Sequence, residues 1–74
     1  MEMEKYLITI DADLDYLTTS YILETVSFYG VQSHLYSLAA IFERTGSKIM
    51  DGIQNGRLVI EINNRSIIYT ASKI

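Results

Sequence analysis

The sequence predicts a small α+β domain with elements in the order β-α-α-β-β-β, two helices packing on one face of a mostly antiparallel sheet. Three observations carry that expectation. An apolar run, Tyr6 to Ile10, opens the chain and ends on acids at alternate positions, Asp11, Asp13 and Asp15. Two segments of helical spacing follow, stopped by Gly30 and Gly46. The last third then changes to period two, punctuated by Asn55-Gly56 and Asn63-Asn64.

Lys5 to Ile10 reads as the first strand. Both of its faces are fairly apolar, which suits an interior strand better than an edge. Asp11 or Asp13 is placed to cap a helix, because a carboxylate there accepts hydrogen bonds from free backbone N–H groups and meets the positive end of the dipole. That helix is expected over Asp13 to Tyr29. Leu14, Leu17, Tyr21 and Phe28 form its stripe, widened by Ile22 and Tyr29. Its three threonines and its β-branched Ile22 and Val26 lower the intrinsic propensity, so packing has to hold it. Gly30 is its natural stop.

Ser33 is the expected cap of a second helix, His34 to Thr45, with Leu35, Leu38 and Phe42 as its stripe and Gly46 as its end. Ser47 to Ile53 is a candidate strand. Asn55-Gly56 favours a tight hairpin turn, because both residues tolerate positive φ. Arg57 to Ile62 is the clearest strand, alternating Leu58, Ile60 and Ile62 against Arg57, Val59 and Glu61. After the turn at Asn63-Asn64, Arg65 to Ala71 returns with Ile67, Tyr69 and Ala71 on one face and Ser66, Ile68 and Thr70 on the other.

Seventy-four residues make one domain, 1–74, close to the lower size limit for independent stability. The chain has no cysteine, so neither a disulfide nor a thiolate metal site supplements the core, and a cytoplasmic location is the simplest expectation. Early acids and the lack of a long apolar run argue against a signal peptide or a membrane span, so no membrane partner is expected. About half the residues are apolar (49%), with eleven isoleucines and six tyrosines, more than a small interior accommodates. That favours a homodimer or another protein partner. Net charge is −3, unevenly spread: residues 1–33 hold six acids and one lysine, residues 34–74 five basic residues and three acids. The acidic half repels a phosphate backbone, which disfavours nucleic-acid binding in general. Arg44, Arg57, Arg65 and Lys73 are the candidate phosphate contacts for a local patch, and Arg57 and Arg65 at loop–strand junctions suit a ribbon best.

Asp11, Asp13 and Asp15 are a candidate divalent-cation site, since hard ions take oxygen ligands. The EF-hand pattern fails: counted from Asp11, Tyr16 stands where the loop needs glycine and Ile22 where it needs glutamate. Helix capping explains the same acids more simply. His34, the single histidine, has no cysteine or second histidine with which to build a zinc site. As a catalytic base it would need Asp11 or Asp13 beside it, and no motif marks a nucleophile. Tyr16, His34 and Tyr36 form the best candidate protein interface, because exposed tyrosines bury large area at low entropic cost.

The apolar strand followed by Asp11-Ala12-Asp13 resembles the first motif of the haloacid-dehalogenase-like phosphatases, in which the matching first aspartate is the nucleophile and the second the acid/base. The likeness covers one short stretch. Asp15 replaces the family's threonine, and the chain is too short for that family's doubly wound core. In element order alone the expected topology is similar to small ribonuclease-like toxins of bacterial toxin–antitoxin systems, which are typically basic; no residue role follows from that. The reading that fits best is a non-enzymatic protein-binding module without a cofactor, a regulator or inhibitor that covers a partner surface. A nucleic-acid binder using the C-terminal hairpins, or a hydrolase-like or cation-binding protein using the Asp cluster, are the alternatives.

Overall fold

The structure, a computed structural model, describes residues 2–12 and 18–74. Among these, the elements are β1 (Glu4–Ala12), β2 (Thr18–Thr25), α1 (Phe28–Arg44), β3 (Lys48–Met50), a single 3₁₀ turn at Ile53–Asn55, β4 (Arg57–Ile62) and β5 (Arg65–Lys73). The α+β class stands, but the β-α-α-β-β-β order does not. One helix and five antiparallel strands replace two helices and four strands. The element order behind the likeness to the ribonuclease-like toxins goes with it.

The correction falls on residues 18–29. Tyr21 and Leu23, spaced two apart, lie half-buried on the helix-covered side, while Ser20, Ile22 and Glu24 are exposed on the other. The period is therefore 2 rather than 3.6. The threonines and Ile22 that weaken a helix are the residues that favour a pleated strand. The real helix begins at Phe28, before the expected cap at Ser33, and runs through Gly30 without a break. Gly30 does not end a helix. It lets α1 press onto β2: a Cβ built at Gly30 would sit 1.6 Å from Thr25 Oγ1 and 2.7 Å from Thr25 Cβ. Ser27 precedes the helix with an extended backbone and no side-chain cap; its carbonyl accepts from the Gly30 N–H at 2.9 Å and from Thr25 Oγ1 at 3.2 Å.

The helix ends where Gly46 predicts, by a Schellman arrangement. The Gly46 N–H donates to Glu43 O and the Ser47 N–H to Phe42 O, at 3.0 and 3.2 Å, with Gly46 left-handed at φ 86°. Asn55-Gly56 is not a two-residue hairpin. Asn55 closes the 3₁₀ turn and Gly56, at φ 77°, leads into β4. The hairpin is at Asn63-Asn64, both with positive φ (50° and 66°), which suits the right-handed twist of β4 and β5.

The sheet order is β2-β1-β5-β4-β3. β1 is interior, paired on both sides, and β5 is the middle strand. Since α1 leaves β2 at one edge and delivers the chain to β3 at the other, it crosses the sheet and covers one face. Tyr6 and Ile8 of β1, Leu58 and Ile60 of β4 and Tyr69 of β5 meet Val31, Leu35 and Ala39 of α1 in the core, joined by Ile53. One helix is too narrow for five strands. Ile10, Tyr21, Leu23, Ile62 and Ile67, on the same face, are only partly buried.

Candidate functional site

On a helix, residues two apart point to nearly opposite sides. His34 and Tyr36 are therefore separated. Tyr36 stands 59% exposed on the outer side of α1, whereas His34 is half-buried and turned to the sheet. Tyr16, the third member of that expected patch, lies outside the described residues.

His34 Nε2 is 2.5 Å from the Tyr21 hydroxyl, with the rings edge-on at 5.7 Å between centroids. Burial, and secondarily the neighbouring Tyr69, push the Tyr21 hydroxyl above its ordinary pKa. Tyr21 thus keeps its proton at neutral pH and hydrogen-bonds to His34, the donor being set by the imidazole tautomer. Asp11 is not beside this pair: it is exposed on the opposite face of β1, its Cα partnered by Thr18 and Ile68. The contact ties α1 to β2.

Asp11 lies within β1, which runs on to Ala12, and is not at a helix start. Asp13 and Asp15 lie outside the described residues. Among the described residues, no group of three His, Cys, Asp or Glu side chains is placed to hold a metal ion.

The four candidate phosphate contacts do not form one ribbon. Arg57, opposite Thr70, is on the uncovered face, while Arg65, opposite Ile62, and Lys73, opposite Tyr6, are on the helix-side face. Arg57 and Arg65 also mark opposite ends of the β4–β5 pair, about 17 Å apart along the strands at ~3.4 Å per residue. Lys73 pairs with Glu4 at 3.2 Å, and Arg44 is exposed in the last turn of α1.

The surface that does form a coherent patch is the outer side of α1. Tyr29 (74% exposed), Ser33, Tyr36, Ser37, Ala40 and Ile41 (57%) project from it. From Phe28 to Phe42 the helix carries no aspartate, glutamate, lysine or arginine; Glu43 and Arg44 are its only such residues. Surface helices ordinarily place charges on the side away from the core. The sequence hides Tyr29 because its spacing also fits the end of a helix over Asp13 to Tyr29, and it gives Ile41 no role of its own. The signal that finds them is the uncharged run, which becomes meaningful once one helix spans it.

The uncovered face of the sheet is mixed. Leu7, Val59 and Ile68 are half-buried among exposed Lys5, Glu24, Arg57 and Glu61. The register sets Lys5 opposite Glu24 and Lys48 opposite Glu61, so opposite charges face across strands.

No known family model, curated protein or solved structure matches the chain. No described helix is long and apolar enough to cross a membrane.

Proposed function

We propose that the protein is a binding module whose contact surface is the outer face of α1, and that it regulates or inhibits a partner protein by covering it. The observation that carries this reading is the uncharged run Phe28–Phe42 together with the exposure of Tyr29, Tyr36 and Ile41 on that face. Docking a helix face strips water from every group on it. Buried charges are costly to desolvate and are depleted from interface centres, where aromatic side chains are enriched. Tyrosines framed by serine and alanine supply broad, stiff contact area and adaptable hydrogen bonds. The outer face has that composition, and its neighbouring residues stand one turn apart, so they form a continuous strip.

The test is differential capture from the native host with two baits, the wild-type chain and Ser33→Glu/Ser37→Glu. Both serines are exposed, so the substitutions leave the fold intact, which circular dichroism verifies. A partner held by wild type and lost from the doubly charged bait supports the helix-face reading. The same partners on both baits refute it.

A further inference from the structure

We infer that the β2 edge is a self-pairing surface: two copies join through β2 and its symmetry mate, antiparallel about a two-fold axis at Ile22, into one continuous ten-stranded sheet. This surface is separate from the outer face of α1, so the inference stands or falls independently of the proposed function.

The two edges of the sheet are built differently. β3 is three residues long and carries Lys48, both familiar protections against unwanted strand addition. β2 is eight residues long, has no proline, lysine or arginine, and has one charge, Glu24. It is outermost in the strand order, so one side of its backbone has no strand partner among the described residues. Within it Ile22 is 53% exposed, and Val26, just past its end, is 51% exposed. The chain also presents 5181 Å² of accessible surface, against about 4,600 Å² expected for a compact monomer of its mass.

The occupant follows from symmetry and side-chain matching. Opposite residues of an antiparallel pair point to the same face, so a self-paired strand must join residues of equal parity. Centring on Ile22 sets Ile22 against Ile22 of the second copy. It sets Tyr21 against Leu23 on the helix-side face, and Thr19 against Thr25. Glu24 meets Ser20, so no like charges oppose one another. Each contact except the central one occurs twice, as an isologous interface requires. Pairing β2 to the β3 edge instead would propagate without closing; the short, lysine-bearing β3 discourages that.

The native chain has no cysteine, which permits a direct test. Sedimentation equilibrium on the full chain is expected to show a monomer–dimer equilibrium. Ile22→Lys, placing two ammonium groups face to face at an exposed position, is expected to weaken it about tenfold or more. Met50→Lys, at the other edge, leaves it unchanged. Ile22→Cys is expected to give a covalent dimer under mild oxidation, because opposed antiparallel Cα atoms lie about 4.5–5.5 Å apart, within disulfide range. Met50→Cys gives none. If Ile22→Lys fails to fold, the cysteine pair decides. A native chain that stays monomeric at all concentrations overturns the inference. So does a dimer that Ile22→Lys leaves intact, a cross-link at Met50 in preference to Ile22, or a dimer broken only by Ser33→Glu/Ser37→Glu.

Discussion

Gly30→Ala tests the placement of α1 on β2. The added methyl would lie 1.6 Å from Thr25 Oγ1, 2.7 Å from its Cβ and 3.3 Å from its Cγ2. Rotating the threonine side chain relieves the first contact but not the second, because Cβ is fixed to the strand backbone. Helix and strand must therefore separate. Overpacking of this kind costs about 1–3 kcal/mol. Loss of the Thr25 Oγ1 bond to Ser27 O adds about 1 kcal/mol. Alanine's helix propensity returns about 1 kcal/mol. The expected net is a destabilisation of about 1–3 kcal/mol, lowering Tm by roughly 4–8 °C per kcal/mol in a domain of this size. Urea titration of Gly30→Ala, Thr25→Gly and the double mutant measures it. Removing Thr25 Cβ relieves the overlap, so the cycle is expected to show favourable coupling of about 1 kcal/mol or more. A Gly30→Ala variant that is stabilised, or additive energies across the cycle, refutes the packing of Gly30 against Thr25.

Leu35, fully buried beneath the centre of α1, is expected to cost about 2–5 kcal/mol on truncation to alanine, enough to unfold a large fraction of a chain this small, read by circular dichroism. Gly46→Ala forces a side chain into φ 86° and is expected to destabilise by about 1 kcal/mol through strain alone, since a Cβ there meets nothing within 4 Å. Burial pushes the Tyr21 and Tyr69 hydroxyls above the ordinary tyrosine range. The folded state therefore holds those protons after the unfolded chain has released them, so the contribution of these two hydroxyls to stability is constant at lower pH and is lost as pH rises through the folded pKa values. Tyr69→Phe is expected to flatten that alkaline slope in denaturation measured from pH 9 to 11.5; an unchanged slope refutes the assignment.

How far the fold was legible depended on which pattern had a unique reading. Arg57–Ile62 alternates at every position but Val59, and β4 has those bounds and faces. Tyr21 and Ile22 fit a helical stripe only because Leu14, Leu17 and Phe28 bracket them. The competing period-two pattern, Tyr21 and Leu23 against Ser20, Ile22 and Glu24, was equally present, and short apolar runs do not decide between periods. Threonine density was the deciding sign. Gly30 was legible as glycine but not as to its cause: a stop and a close approach look alike in sequence, and only the partner Thr25, five residues earlier in the chain, separates them. Of the expected interface, His34 and Tyr36, two apart, do not share one helix face, and Tyr16 lies outside the described residues. Tyr36 remains part of a surface whose other tyrosine, Tyr29, was hidden by the misplaced helix boundary.

The helix face and the β2 edge have a joint geometric consequence. Antiparallel strand pairing about a two-fold axis perpendicular to the sheet keeps each face of one copy continuous with the same face of the other. If β2 pairs with its mate, both α1 helices lie on one side of the ten-stranded sheet and present their uncharged outer faces in the same direction. The two mixed, uncovered faces then merge on the opposite side. A partner with two sites within reach binds such a dimer with an avidity a monomer lacks, gaining up to about 10²–10⁴ over one contact. Ile22→Lys is therefore expected to weaken capture of a bivalent partner while leaving the affinity of a single contact unchanged, whereas Ser33→Glu/Ser37→Glu lowers that single-contact affinity itself. Titrating an identified partner against both variants, once as a monomer and once immobilised at high density, distinguishes the two effects. Equal losses for both variants in the monomer format would show that the edge belongs to the partner's own binding site.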